Sequence, residues 1–342
     1  MEADRINMSH GDGGEAAHRL LNGVILPALT ETETETESRE PLGDAALLPV
    51  PPAGKLAVTT DSFVIKPLFF PGGDIGKLAV AGTVNDLVVS GAVPLYLTVS
   101  FILEEGLPVE QLRTICRSMA KEAAVSGIKI VAGDTKVVGK GDCDGMFINT
   151  TGIGVVEPGA ELRPQLIETG DAVVVTGTLG DHGIAVLTAR EELGLMSEIP
   201  SDCATLFPML QKAREASANI RILRDPTRGG LATALAEICE DYKLTVELDE
   251  DLLPVKPEVE GACELMGFDP LYLANEGKAV LILPARDVPA VLDALRHFPE
   301  GRNACLVGMV TGREKGQLLI RTPFGSTRRL YRLAGSMLPR IC

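Results

Sequence analysis

Residues 56–90 read LAVTTDSFVIKPLFFPGGDIGKLAVAGTVNDLVVS, and this stretch decides the fold. Leu56 to Thr60 is a strand ending in Thr59-Thr60-Asp61, and Ile75 to Ser90 reads as a helix. Within that helix the run 78–89, LAVAGTVNDLVV, carries one charge, Asp86, beside Asn85. A helix apolar nearly all round is one that the rest of the protein covers. A carboxylate inside it must be paired, hydrogen-bonded or bound to metal. The pattern alone leaves a structural hydrogen bond and a metal as alternatives. Residues 71–78, PGGDIGKL, fail the phosphate-loop pattern, which needs Gly at 71 and Ser or Thr at 78. What survives is a glycine turn with backbone amides ahead of a helix, which suits an anion.

Outward from this stretch, Leu112, Ile115, Cys116, Met119 and Ala123 fall at the spacing of an amphipathic helix. Ile128 to Val131 is a short buried strand running into Ala132-Gly133-Asp134-Thr135-Lys136, and Met146 to Val156 is another strand. A second unit opens near Asp171 with the strand 172–175 and Gly177-Thr178-Leu179-Gly180-Asp181-His182-Gly183. Asp225-Pro226 opens a helix carrying Leu231, Leu235 and Ile238, since Asp caps and Pro starts helices well. Strands at 244–248, 279–283 and 318–321 alternate with helices near 259–266 and 288–297. Mixed strands and helices in both halves predict two α/β (α+β) domains. The expected division is a flexible N-terminal segment 1–46, a domain 47–160, a domain 161–332 and a mobile tail 333–342. The Thr-Glu tract 30–40 has no apolar face to bury and reads as a solvated loop or disordered insertion.

The chain has 342 residues, with 32 Lys plus Arg against 47 Asp plus Glu, a net charge of −15. Such a surface repels phosphate backbones and anionic lipid, and no apolar run is long enough to span a bilayer, so neither nucleic acid nor membrane is an expected partner. Seven cysteines, never as C-x-x-C, argue against a disulfide framework or zinc ribbon and for a reducing cytoplasm. From Arg313 onward seven basic residues face one acid, Glu314, so the C-terminal stretch docks on the body, meets an acidic partner or is simply solvated.

Asp61 and Asp134 both follow strand-like runs, and strand ends are where α/β folds gather their sites. With Asp86 they make a set of hard oxygen ligands suited to magnesium beside a nucleotide. Lys136, two residues beyond Asp134, shares its face in an extended segment and could meet phosphate charge. Thr227 in Thr227-Arg228-Gly229-Gly230 could add phosphate contacts. Glu276, in Ala274-Asn275-Glu276-Gly277-Lys278 at the mouth of a strand, is a candidate general base, which spacing does not separate from a surface-loop residue. The chain ends Pro339-Arg340-Ile341-Cys342, and the last ten residues could reach about 30 Å if extended.

Together, His10-Gly11-Asp12-Gly13-Gly14, residues 59–92, FILEEGLP (101–108), AGDTKVV (132–138), GTLGDHG (177–183), LRDPTRGG (223–230), ANEGK (274–278) and the terminal PRIC resemble the HypE family of hydrogenase maturation dehydratases. This family lies within the PurM-like (aminoimidazole ribonucleotide synthetase-related) ATP-binding enzymes. The resemblance covers nearly the whole chain, and PRIC is its most specific element. It implies that a carbamoyltransferase, HypF, loads a carboxamide onto the Cys342 sulfur. ATP then phosphorylates the amide oxygen, and loss of phosphate and two protons leaves a thiocyanate. The cyano group passes to iron on a HypC–HypD complex. The resemblance implies Glu276 as the base with Lys136 assisting and His10 contributing. It implies Gly11, Gly13, Gly14, Thr60, Lys77, Asn85, Thr135 and Thr227 for ATP, Asp61, Asp86 and Asp134 for Mg2+, and a homodimer joined through the N-terminal domains with ATP sites near the interface. Within the same fold a thiamine-monophosphate kinase would not need PRIC, and a selenophosphate synthetase would need a reactive cysteine near the N-terminus, where none precedes Cys116. A non-enzymatic carrier presenting a group on Cys342 is the alternative from another class.

Overall fold

The computed structural model describes residues 5–32, 45–190 and 199–334. The chain begins with short helices α1 (Glu15–Leu20) and α2 (Leu26–Leu29). It continues through β1 (Lys55–Phe63), the small hairpin β2 (Phe69–Phe70) and β3 (Gly73–Asp74), α3 (Ile75–Val89), β4 (Val93–Glu104), α4 (Val109–Ser126), β5 (Lys129–Val138) and β6 (Met146–Val156). The four long strands form a sheet in the order β1-β6-β4-β5, with α4 as the crossover between parallel β4 and β5.

Helix α3 lies on the inner face of this sheet, and 13 of its residues are buried, as its apolar run requires. It packs tightly on α4: a side chain at Gly76 would come within 2.6 Å of the Ile115 carbonyl. Among the described residues the outer face of the sheet exposes Leu56, Val58 and Ile102.

The second half contains β7 (Asp171–Val175), α5 (Asp181–Ala189), α6 (Phe207–Ala216), β8 (Ile222–Arg224), α7 (Gly230–Tyr242), β9 (Leu244–Asp249), α8 (Pro257–Met266), β10 (Val280–Pro284), α9 (Val288–Arg296), β11 (Cys305–Arg313), β12 (Gln317–Arg321) and β13 (Thr327–Leu330). Its seven strands run β13-β12-β9-β11-β7-β10-β8. Every residue of β7 and β10 is buried, the mark of strands covered on both faces. Ala172, Val174, Leu281 and Leu283 join a core that continues through α6 and α9 into α3 and α4. Val173, Val175, Val280 and Ile282 point the other way, onto α7.

Two local expectations are overturned and one open alternative is decided for the described residues. Asp61 and Asp134 stand inside long strands, because β1 runs on to Phe63 and β5 to Val138. Asp225-Pro226 does not open a helix: α7 starts at Gly230, and Gly229, at φ 79°, makes the turn into it. In the described part of the basic C-terminal stretch, Arg321 pairs with Asp249, Arg328 with Glu250 and Asp269, and Arg332 with Glu240, so this part docks on the body.

Candidate active site

Glu276 is 4% exposed, so it is no surface-loop residue. Its loop is clamped from three sides. The Asp202 carboxylate accepts the backbone N–H groups of Glu276 and Gly277, each at 3.2 Å. The Asn275 side chain accepts from the Gly180 amide at 2.8 Å and donates to the Pro226 carbonyl at 3.0 Å. Gly277 passes so close to the Asp202 carbonyl that any side chain there would collide with it. Asn85 closes the third side: its amide donates to the carbonyls of Ala204 and Glu276, and its oxygen accepts from the Leu206 N–H at 2.8 Å. Its polar atoms are thus directed to backbone, and it ties α3 to the second half of the chain.

One residue further along α3, Asp86 is half-buried and accepts a hydrogen bond from the Thr59 hydroxyl of β1 at 2.8 Å. Strand alternation puts Asp61 on the same face as Thr59. Asp225 borders the same space from the far side, where a cleft of about 600 Å³ is lined by Thr59, Asp86, Ser90, Arg224 and Asp225. Burial raises the Asp61 and Asp86 carboxyls above the usual range, and the charge on Asp86 raises Asp61 further. Burial and the charge on Asp86 push Asp225 up to about 7. Burial, then Asp202, Asp225, Asp61 and Asp86, push Glu276 well up. Four carboxyls thus share one field, and a multivalent cation is what such a set attracts. Among the described residues no three His, Cys, Asp or Glu side chains converge into a metal cage. Asp61 and Asp86 are the carboxylates present; magnesium beside a nucleotide takes one or two and completes its octahedron with phosphate and water.

Asp134 and Lys136 belong to a second group. They pair at 2.9 Å on one face of β5, as the two-residue spacing predicts. The register links Asp134 through Ser100 and Asn149 to Ser62, the neighbour of Asp61. Because strand side chains alternate, Asp134 lies on the outer face and Asp61 on the inner one, three strand spacings or about 14 Å away. One chain therefore does not bring Asp61, Asp86 and Asp134 onto one ion. The N-terminal glycine loop packs on β5 at Val137, on the face opposite Asp134: His10 is buried, its Nδ1 accepts the Asn7 N–H at 3.0 Å, and Gly11 abuts the backbone of Val137. Gly13 takes a positive φ of 73°, and Gly14 precedes α1.

Thr60 lies on the outer face, bonded to the Thr150 carbonyl and to Thr151. Thr135 is half-buried on the opposite face of β5 from Asp134. Thr227 forms the turn before α7, its carbonyl accepting the Gly230 N–H at 2.9 Å. Lys77, in the first turn of α3, donates to the Gly72 carbonyl at 3.2 Å. The turn before α3 is no open anion seat, since the Asp74 carboxylate already accepts the N–H groups of Gly76 and Lys77. Cys342 lies outside the described residues. Three clamp and cleft residues were missed by sequence reasoning. The Asp-Pro pair is equally a helix start, which hides Asp225, and nothing in the local sequence distinguishes Asp202 and Asn275.

Family models for AIR synthase related proteins match this architecture, the N-terminal domain over residues 42–156 and the C-terminal domain over 168–321. The chain is thus an AIR synthase related, PurM-like protein. Carbamoyl dehydratase HypE of Rhodobacter capsulatus is 48% identical over 339 residues, covering 99% of this chain and 98% of the relative. A crystal structure of the hydrogenase maturation protein HypE in complex with ATP is 43% identical, with a TM-score of 0.89 over 98% of this chain and 99% of that one. A HypE–HypF complex structure is 48% identical, with a TM-score of 0.77 over 81% of this chain and 90% of that one. The chain belongs to the HypE family of carbamoyl dehydratases, enzymes of hydrogenase maturation. No described helix is long and apolar enough to cross a membrane.

Proposed function

We propose that this chain dehydrates an S-carboxamide on its own Cys342, using ATP, and that its active centre is completed by a second copy. HypF would load the carboxamide, and the HypC–HypD complex would accept the cyano group. The amide oxygen attacks the γ-phosphorus of ATP, and ADP leaves. One N–H proton passes to a base; the C–O bond then breaks, phosphate departs and the second N–H proton is lost, giving S–C≡N. Hydroxide is too poor a leaving group for this step, and phosphate is a good one.

Glu276 is the proposed base. It is buried and fixed on both sides of its backbone, and a carboxyl raised by burial is better matched to a weakly acidic N–H than an ordinary one. Asp61 and Asp86, with Asp225 across the cleft, would hold magnesium, which supplies charge neutralisation at the phosphates when bound. Lys136 carries positive charge for the transferred phosphoryl group. Lys77, Thr60, Thr135, Thr227 and the loop of Gly11, Gly13 and Gly14 are proposed to bind ATP, with His10 fixing that loop. Asn85 acts here through the backbone it holds.

The observation that carries the reading is the separation of the two groups. Asp61, Asp86, Asp225 and Glu276 share one field, while Asp134 and Lys136 lie on the opposite face of the same sheet. That face also exposes Leu56, Val58 and Ile102, an apolar surface suited to a second copy. A homodimer packed there would let Asp134 and Lys136 of one subunit meet Glu276 of the other. Complementation tests this. Lys136→Ala and Glu276→Gln chains, each inactive alone, regain up to about half the activity per mixed dimer when co-folded. No recovery on mixing would place both groups in one chain's site.

A further inference from the structure

Residues 328–333 are pinned to the body at several points. Two of these are hydroxyl clasps rather than surface ion pairs. The Tyr272 hydroxyl donates to the Tyr331 carbonyl at 2.9 Å and accepts the N–H of the same residue at 3.4 Å. The Thr233 hydroxyl accepts the Leu333 N–H at 3.1 Å. A clasp on both backbone groups of one residue fixes direction as well as position, which an exposed ion pair does poorly.

Both hydroxyls belong to segments that build the site. Tyr272 precedes Glu276 by four residues. Thr233 lies directly over Gly229, where a side chain would collide with its hydroxyl, and Gly230 is pressed against the carbonyls of Leu271 and Leu273. The Gly229-Gly230 pair, which the mechanism does not otherwise use, therefore joins the Asp225–Thr227 turn, the Tyr272–Glu276 segment and the root of the C-terminal stretch.

We propose that Tyr272 and Thr233 are positioning residues that seat this root beside the active centre and set the point from which Cys342 is delivered. The proposal rests on the reading that Cys342 carries the carboxamide. Nine residues follow Leu333, ending in Cys342, a reach of about 30 Å. Without the clasp only the exposed Arg332–Glu240 ion pair holds the chain beyond β13, and such a pair holds weakly, so the firm anchor moves back to Leu330 at the end of β13, or to Arg321 if β13 detaches, leaving 12 or 21 residues. Effective concentration falls as about the −3/2 power of the linking length, so delivery falls about 1.5-fold to 4-fold.

The test is single-turnover thiocyanate formation on carbamoylated protein at saturating Mg–ATP, with ATP affinity measured alongside. Tyr272→Phe/Thr233→Val is expected to slow conversion by about 1.5-fold to 4-fold with ATP affinity unchanged, and Thr233→Ser, keeping the hydroxyl, to convert like the parent. Conversion at the parent rate in the double variant overturns the proposal, as does a loss shared equally with ATP affinity, which marks a general structural defect. If the parent chain itself never converts its charged cysteine, the reading beneath the proposal fails instead.

Discussion

The side-chain amide of Asn85 donates to the carbonyl oxygen of Glu276 at 3.4 Å, and its oxygen holds the N–H of Leu206. A helix of the first sheet layer thus grips the backbone of the proposed base in the other half of the chain. Asn85→Ala leaves the Leu206 N–H without its partner in a buried setting, which costs about 1–3 kcal/mol. The urea midpoint is expected to fall accordingly, and dehydration to fall with it, because Glu276 loses a support. An unchanged midpoint would show that water replaces the amide freely.

The crowded carboxyls give stability a definite pH dependence. Asp225 rises from 3.8 to about 7, and Glu276, Asp61 and Asp86 rise with it. In such groups the folded state holds protons that the unfolded state has released. Their stabilisation is therefore complete below about pH 4, erodes as pH rises, and for Asp225 is gone above about pH 7. In magnesium-free buffer the melting temperature should fall across that window. Asp225→Asn should flatten the fall and raise the melting temperature at pH 8. Adding Mg2+ at pH 8 should raise that of the parent, since an ion bound only by the folded state stabilises it.

Thr59 tests the cleft without touching its carboxylates. Its hydroxyl favours the charged form of Asp86 through a 2.8 Å hydrogen bond. Removing a partner that orients a metal ligand costs about 10- to 100-fold in metal affinity. Thr59→Val should therefore weaken Mg2+ binding, measured by calorimetry with ATP present, by about tenfold. Thr59→Ser should not.

Lys136 separates stability from chemistry. Its pairing with Asp134 leaves the two side chains 63% and 60% exposed, and an ion pair that open contributes little to stability. Lys136→Met should leave the melting temperature unchanged yet slow dehydration by about 100-fold.

Much of this was legible in the chain because the deciding patterns are local. The run 78–89 announces a covered helix whatever surrounds it, and the spacing of Asp134 and Lys136 fixes their shared face. Burial of Glu276 was not legible, because it depends on Asp202, 74 residues away. Nor was the division of the carboxylates: strand order β1-β6-β4-β5 puts Asp61 and Asp134 on different faces, and strand order is a long-range property. Asp225 is ambiguous in sequence because Asp-Pro is equally good at starting a helix and at holding a loop, and Gly229 with its positive φ decides between them.

The most direct test follows the mass of the C-terminal peptide after incubation with the carbamoyltransferase and carbamoyl phosphate, with and without Mg–ATP. The peptide holding Cys342 should gain one carbamoyl group and then lose one water only when ATP is present. A peptide that stays carbamoylated through ATP addition would contradict the dehydratase account and leave the chain a carrier.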